Sequence, residues 1–341
     1  MPGVNSRGVT ALKAPKVDVV IVNWNAGSLL SEAVAPLARH DPATTCCVNV
    51  VVVDNASSDG SEKEVEAVFP SITVIRNGTN QGFARACNQG AQQGNAKYIL
   101  FLNPDATLKL GQLEEMIEFM ERQGSRNIAV LGPQVRNAMG HVERTCAREP
   151  DLRHLLCRAL SLHRVLPAKF ADFTMREFDH LSSRPVDQVI GACILTRRAE
   201  FEALGGFDER FFVYFEEVDY CRRIRERGRI VYFRSESVVT HVGSATTNRV
   251  KGFRLYLSLR SRITYAHKWF GRSAGAIVDL TSLFIEPLIR TLHALACGSP
   301  KGAREVLEGA RRLLRWRAQS GLTPRLRFRG VGERVIDLGP V

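Results

Sequence analysis

Two groups of oxygen-bearing side chains stand where they could do chemistry. The first closes the segment 97–107, KYILFLNPDAT. Its apolar run, Tyr98 to Leu102, has the length of a strand buried on both faces. Pro104 cannot donate to a ladder, so the strand must stop there. Asn103 and Asp105 are thereby left at its C-terminal end. Ligands bind at that edge of open α/β sheets, and a lone carboxylate there suits a cation. The plainer reading is a turn, because Asn, Pro and Asp are all turn formers.

The second group lies in 207–228, FDERFFVYFEEVDYCRRIRERG. An aromatic run leads into Glu216, Glu217 and Asp219, and a helix follows as far as Gly228. Acids in the first turn and arginines toward the end suit the helix macrodipole. That alone does not account for Glu216 and Glu217 crowded against aromatic residues. Crowded carboxyls raise each other's pKa, which fits a proton-accepting or cation-binding role. His241 falls at a strand end in 238–246, VVTHVGSAT, and is either structural or a third member of the site.

The elements that position these residues follow from hydrophobic periodicity. Strands are expected at 17–23, 48–53, 72–75 and 97–102, separated by helices at 29–39, 62–69 and 83–93. This alternation predicts a parallel, doubly wound sheet. The strands end in Asn23-Trp24-Asn25, Asp54-Asn55, Asn77 with Asn80, and Asn103 with Asp105, all on one edge. Four such ends in sequence suit a nucleotide-sized site. No G-x-G-x-x-G follows the first strand and no G-x-x-x-x-G-K-[ST] occurs, which disfavours dinucleotide and P-loop readings. Further on, helices are expected at 113–123 and 198–204, and strands at 129–133, 186–196, 230–233 and 238–246. The basic, irregular stretch 135–185 reads as an excursion over the site.

The chain has 341 residues, 45% hydrophobic and 24% charged, as for an ordinary globular protein. Its net charge of +12 points to an anionic partner: nucleic acid, a membrane surface or a phosphorylated substrate. The eight cysteines include the adjacent Cys46-Cys47 and no C-x-x-C, which disfavours zinc. Cys87, Cys193 and Cys221 read as small core residues, and reduced thiols imply the cytosol. Residues 1–16 lack a secretory apolar region and read as a disordered lead-in. The region 276–297 is apolar but broken by Asp279, Glu286, Pro287, Arg290 and His293. It suits an amphipathic helix on a membrane or on the main domain, not a span. A basic helix is expected at 302–316 and a loosely ordered basic tail at 317–341.

Together, VVIVNWN (19–25), VVVDNASSDGS (51–61), NQGFARACNQG (80–90), ILFLNPDAT (99–107), VIGACILTRRAEFEALGGFDERFFVYFEEVDYCRRI (189–224) and HVGSAT (241–246) carry a resemblance. In this order they resemble the family 2 inverting glycosyltransferases of GT-A fold, in the rhamnosyltransferase-like branch that builds bacterial cell-surface glycans. The resemblance covers roughly residues 17–250. It implies a Rossmann-like, mostly parallel sheet at 17–250 followed by a basic helical region at 251–341.

The resemblance also implies roles. Asn23, Asn25, Asp54, Asn80, Gly82, Asn103 and Asp105 would bind a nucleotide-sugar, with Asp54 on the base. Asp105, with His241 nearby, would hold Mg²⁺ or Mn²⁺ on the donor diphosphate. Glu217 would be the catalytic base, with Glu216 and Asp219 supporting it or the acceptor. The pair differs from the family's usual Glu-Asp, Gln188 replaces a common aromatic, and Arg85 replaces a common Gly. The implied donor is dTDP-rhamnose or another dTDP- or UDP-linked hexose. The implied acceptor is a saccharide or a polyprenyl-linked one, at the inner face of the cytoplasmic membrane. A homodimer stays open and nucleic acid is not expected as a partner.

Three other readings compete. A nucleotidyltransferase would need a Gly-rich, basic loop after the first strand, which Asn23 to Ser28 does not provide. A nucleic-acid-binding module fits the charge but no recognition motif. A degenerate transferase kept as a scaffold is left open by Glu217.

Overall fold

The element order follows from where apolar runs meet polar stops. A computed structural model describes residues 17–38, 48–165, 169–170, 173–243 and 251–320. The predicted lead-in 1–16, Cys46-Cys47 and the tail beyond 320 lie outside the described residues.

The first half runs β1 (Val17–Asn23), α1 (Ser28–Ala38), β2 (Val48–Asp54), α2 (Ser61–Val68), β3 (Thr73–Arg76), α3 (Phe83–Ala91) and β4 (Tyr98–Leu102). All residues of β1 and β4 are buried, which is why they read as unbroken apolar runs. Next come β5 (Ala106–Thr107), α4 (Leu110–Glu121), β6 (Ile128–Arg136), α5 (Leu152–Ala159), α6 (Leu162–Val165) and β7 (Arg184–Pro185). They are followed by β8 (Cys193–Arg197), α7 (Arg198–Ala203), α8 (Glu216–Glu226) and β9 (Ile230–His241). Four helices complete the described chain: α9 (Lys251–Trp269), α10 (Gly271–Leu280), α11 (Glu286–Ala296) and α12 (Pro300–Ser320). A π-helical turn, Thr281–Ile285, joins α10 to α11.

The nine-stranded sheet has the order β3-β2-β1-β4-β8-β6-β9-β5, with β7 paired to β9. Pairings among β1 to β4 are parallel. Beyond β4 the sheet is mixed. β8 is antiparallel to both β4 and β6, β6 is parallel to β9, and β5 and β7 are antiparallel to β9. Two expectations are corrected here. The strand expected at 186–196 is only Cys193–Arg197, and 230–233 and 238–246 form one strand as far as His241. The polar residues 234–237 suggested a break. Instead β9 runs on through a register shift opposite Pro133 and Gln134.

A buried ion pair ties the sheet's opposite edge together. Asp18, wholly buried in β1, accepts from Arg198 Nη2 (2.6 Å), Ala96 N (2.9 Å) and Asn49 Nδ2 (2.7 Å). A Cβ on Gly94 would lie 2.2 Å from Asp18 Oδ1, so only glycine lets the chain pass there. Cys87, Cys193 and Cys221 are buried free thiols, as their apolar neighbourhoods predicted.

Candidate active site

Three groups of side chains meet along the C-terminal edge of β1, β2 and β4. At the first, Asn23 ends β1 fully buried. Its amide nitrogen reaches Asp54 Oδ1 (2.8 Å), Ser61 Oγ (2.8 Å) and Ser57 Oγ (3.1 Å). Asp54 Oδ2 accepts from Ser57 N at 3.0 Å. Asn25 sits at φ 52° and clamps the same loop, its Oδ1 accepting from Ser58 N at 2.7 Å. Asn23, Asn25 and Asp54 thus form one rigid shelf of oxygens and amides. Ser57 and Ser61 complete it; their only sequence signal was the polar run after β2.

The second group is the turn before α3. Asn80 Oδ1 accepts from Gly82 N at 2.9 Å, and Asn55 Nδ2 donates to Gly82 O at 3.2 Å. Gly82 has φ +85°, and a Cβ there would sit 2.5 Å from Phe212 O. Phe83 N donates to that same oxygen at 2.6 Å. The Asn80–Gly82 turn is therefore docked on the aromatic segment that leads to Glu216 and Glu217.

The third group joins Asp105 to His241. Ala106 pairs with His241 across β5 and β9, and Val242 N donates to Asp105 O at 3.0 Å. His241 Nε2 lies 3.2 Å from Asp105 Oδ1, and Nδ1 lies 3.9 Å from Glu143 Oε2. Neither ring nitrogen is aligned for a hydrogen bond with a described residue, although both are buried. Burial pushes the imidazole pKa down, and the Asp105 carboxylate, with Glu143 behind it, more than restores it. Glu143 carried no sequence signal because it lies in the irregular stretch after β6.

This donor set fits a divalent cation. Among the described residues, no cluster of three or more His, Cys, Asp or Glu could hold a metal by itself. Mg²⁺ and ions like it need only one or two carboxylates when phosphate oxygens and water complete the shell. Asp105, with the His241 imidazole 3.2 Å away, meets that requirement.

Glu216 and Glu217 open α8. The two residues before them, Tyr214 and Phe215, both take positive φ (68° and 69°). Such strain in bulky residues needs outside support. It comes from α9: Ser261 Oγ donates to Val213 O at 2.7 Å, and the Phe215 and Tyr265 rings are 5.4 Å apart. Glu216 is buried and Glu217 half-buried. One carboxyl oxygen of each is buried without a hydrogen-bond partner among the described residues. Burial raises both pKa values, and the neighbouring Glu217 charge raises Glu216 further. The pair titrates as a unit.

Asp219 is not part of this group. It is wholly buried and bound by Arg223 Nε (2.7 Å), Lys268 Nζ (2.5 Å) and Trp269 Nε1 (2.9 Å). It fastens α8 to α9.

One rung of the sheet connects the metal-type and acid-pair groups. Asn103 N donates to Ala192 O at 2.9 Å. Beside Ala192, a Cβ on Gly191 would lie 3.9 Å from the Glu217 side chain. A cation-type carboxylate and a carboxyl with raised pKa thus flank the β4–β8 edge, next to a polar shelf.

The family model for glycosyl transferase family 2 matches residues 18–202. The chain belongs to glycosyl transferase family 2. Among similar relatives is the N-acetylglucosaminyl-diphospho-decaprenol L-rhamnosyltransferase of Mycobacterium tuberculosis. It is 29% identical over 245 residues, which are 67% of this chain and 76% of that one. The low-salt glycan biosynthesis hexosyltransferase Agl10 of Haloferax volcanii is 26% identical over 234 residues, 67% of this chain and 70% of that one. The mannosyltransferase PcManGT of Pyrobaculum calidifontis, solved with GDP-Man and Mn²⁺, superposes with a TM-score of 0.50 at 18% identity. The match covers 88% of this chain and 81% of that one. The fold of this family 2 chain is the GT-A glycosyltransferase fold with a helical C-terminal region. The family match ends at residue 202, before the acid pair.

Proposed function

We propose that the protein is an inverting, metal-dependent glycosyltransferase of cell-surface glycan synthesis. Its favoured donor is dTDP-rhamnose, within the class of dTDP- and UDP-linked hexoses, and its acceptor is a saccharide carried on a polyprenyl lipid. The observation that carries this reading is the rung joining Asp105, through Asn103 and Ala192, to Gly191 beside Glu217. In this reading a leaving-group site and a base lie on either side of one edge. The similarity to a rhamnosyltransferase and a hexosyltransferase supports the donor class.

In this reading Asn23, Asn25, Asp54, Asn80 and Gly82 shape the nucleotide's seat. Asp54 turns both oxygens toward its own chain, so it presents its remaining lone pairs at a fixed angle. Asn103 and Asp105 face the diphosphate. Asp105 and His241 would hold the cation, which neutralises the departing diphosphate when bound. Glu217 accepts the acceptor hydroxyl proton as that oxygen attacks the anomeric carbon. The raised pKa of its carboxyl makes it a stronger base than an exposed glutamate. Burial disfavours charge on both carboxyls, and the Glu217 charge disfavours a second charge on Glu216. One in-line displacement inverts the anomeric centre with no covalent nucleophile.

The test is thermal stabilisation by UDP, dTDP, GDP, CDP and ADP, each with and without Mn²⁺. The expected result is a metal-dependent rise in Tm with dTDP or UDP that Asp105→Ala abolishes. Metal-dependent transfer retained in Asp105→Ala would overturn the assignment.

A further inference from the structure

The helices after β9 carry an apolar surface turned the wrong way for a folded core. Ile277, Leu280, Phe284, Leu288, Leu292 and Leu295 follow one another at three- and four-residue steps along α10, the π-turn and α11. All six are between 47% and 59% exposed. Single exposed leucines are ordinary, but a continuous stripe of this kind marks an interaction surface.

Its outward direction is built in. The opposite side of the same helices buries polar groups: Thr281, Ser282 and Glu286. Arg262 of α9 donates to Glu286 and, at 3.1 Å, to Ser282 Oγ, while Arg290 Nε holds the other Glu286 oxygen at 2.8 Å. The π-turn, a rare element, sets the phase between these inward groups. Rolling the helices to hide the leucines would break a buried ion pair, so the stripe stays outside.

Charge identifies the occupant. From 271 to 320 there are eight Lys and Arg against four Asp and Glu. Three of the four acids are neutralised locally: Asp279 by His267 and Arg317, Glu286 by Arg262 and Arg290, and Glu308 by Arg312. On α12, which packs on α11, Lys301, Arg304, Arg311 and Arg315 are exposed with no carboxylate partner among the described residues. Arg304 and Arg311 alternate with the exposed Leu307 and Leu314 on one helical face. A second copy of the chain would bring the same positive charges against these. An anionic lipid surface would bring phosphates.

We propose that α10, α11 and α12 form a docking surface for anionic membranes. The stripe enters the headgroup–acyl boundary, and the α12 basic residues contact lipid phosphates. No helix among the described residues is long and apolar enough to cross a membrane, so the contact is interfacial. It goes beyond the transferase reading and does not depend on it, because vesicle binding is read without any substrate.

The test is flotation of the full chain with phosphatidylglycerol-containing vesicles and with pure phosphatidylcholine vesicles. The wild type is expected to partition onto the anionic vesicles, less so as salt rises. Leu288→Asp with Leu292→Asp should cut partitioning by at least about tenfold. Arg304→Glu with Arg311→Glu should cut it about fivefold or more per residue and flatten the salt dependence. All four positions are partly or fully exposed, and unchanged thermal unfolding checks that each variant folds. Equal partitioning of the stripe variant would overturn the proposal. So would a wild-type dimer that ignores vesicles and becomes monomeric in that variant, which would make the stripe a subunit interface.

Discussion

The shelf at the ends of β1 and β2 and the first turn of α8 hold their carboxyl groups in different ways. On the shelf, Asp54 has both oxygens taken, one by Asn23 and one by Ser57 N, although Asn23 Oδ1 is itself buried without a partner among the described residues and Asn25 and Ala56 take positive φ. At α8, Glu216 and Glu217 each keep a buried oxygen without a partner among the described residues, after two bulky residues at positive φ. A buried polar group left without its hydrogen bond costs about 1–3 kcal/mol, and each strained residue costs a comparable amount. The shelf carboxylate is therefore held in place by its own loop. The acid turn is unstable alone and is held by its neighbours. A binding surface gains from the first arrangement and a proton-transferring group from the second. Within α8 the contrast narrows to two residues: Asp219 is fully satisfied by Arg223, Lys268 and Trp269, and Glu217 is not.

Breaking the contrast at Glu217 should have the largest effect. Glu217→Gln is expected to lower the transfer rate by about 10²–10⁴-fold while the nucleotide-induced Tm shift stays. The acid limb of the wild-type pH–rate profile should lie above the ordinary glutamate range, because activity falls as pH drops through a raised pKa. A profile unchanged in Glu217→Gln would remove this residue from the chemistry.

Asp219→Asn should do the reverse. It leaves Lys268 and Arg223 without their shared buried carboxylate, a loss of about 3–5 kcal/mol in denaturant unfolding. Transfer per folded molecule should survive far better than in Glu217→Gln. The smallest effect is expected at Glu216. Its folded pKa is raised above the unfolded value, so stability is full below the ordinary glutamate range and is lost as pH rises toward the folded value. Glu216→Gln removes that loss. Its Tm should exceed the wild type's at about pH 8, and the two should converge near about pH 4. A lower Tm for the variant at the higher pH would mean that Glu216 is satisfied after all.

Much of the donor half was legible because burial on both faces leaves a direct mark. The runs 17–23 and 98–102 could only be inner parallel strands, and Pro104 fixed where the second must stop. The mixed half was less legible. A short apolar run such as CILTR has no direction written in it, so nothing local says that β8 lies antiparallel between β4 and β6. At 234–237 polar residues imitate a strand end, and only β6 alongside shows that the strand continues. In the site, Asp105 and Glu217 were readable as carboxyls at element ends. Glu143 and Gly191 were not, because what matters about each is a neighbour far away in sequence. Asp219 looked like a member of the acid cluster until the basic and aromatic groups around it were placed.

The Ser261–Val213 bond gives the α8 turn a dependence on residues outside the family match. The polar shelf and the acid turn thus answer to different stretches of sequence. Under the proposed function, changes in α9 would retune proton acceptance, and with it which hydroxyl is taken, while the seat between β1 and β4 would keep its donor. Exchange of the C-terminal helices between relatives would then alter acceptor choice separately from donor choice. Two specificities could be inherited on one chain and diverge at different rates.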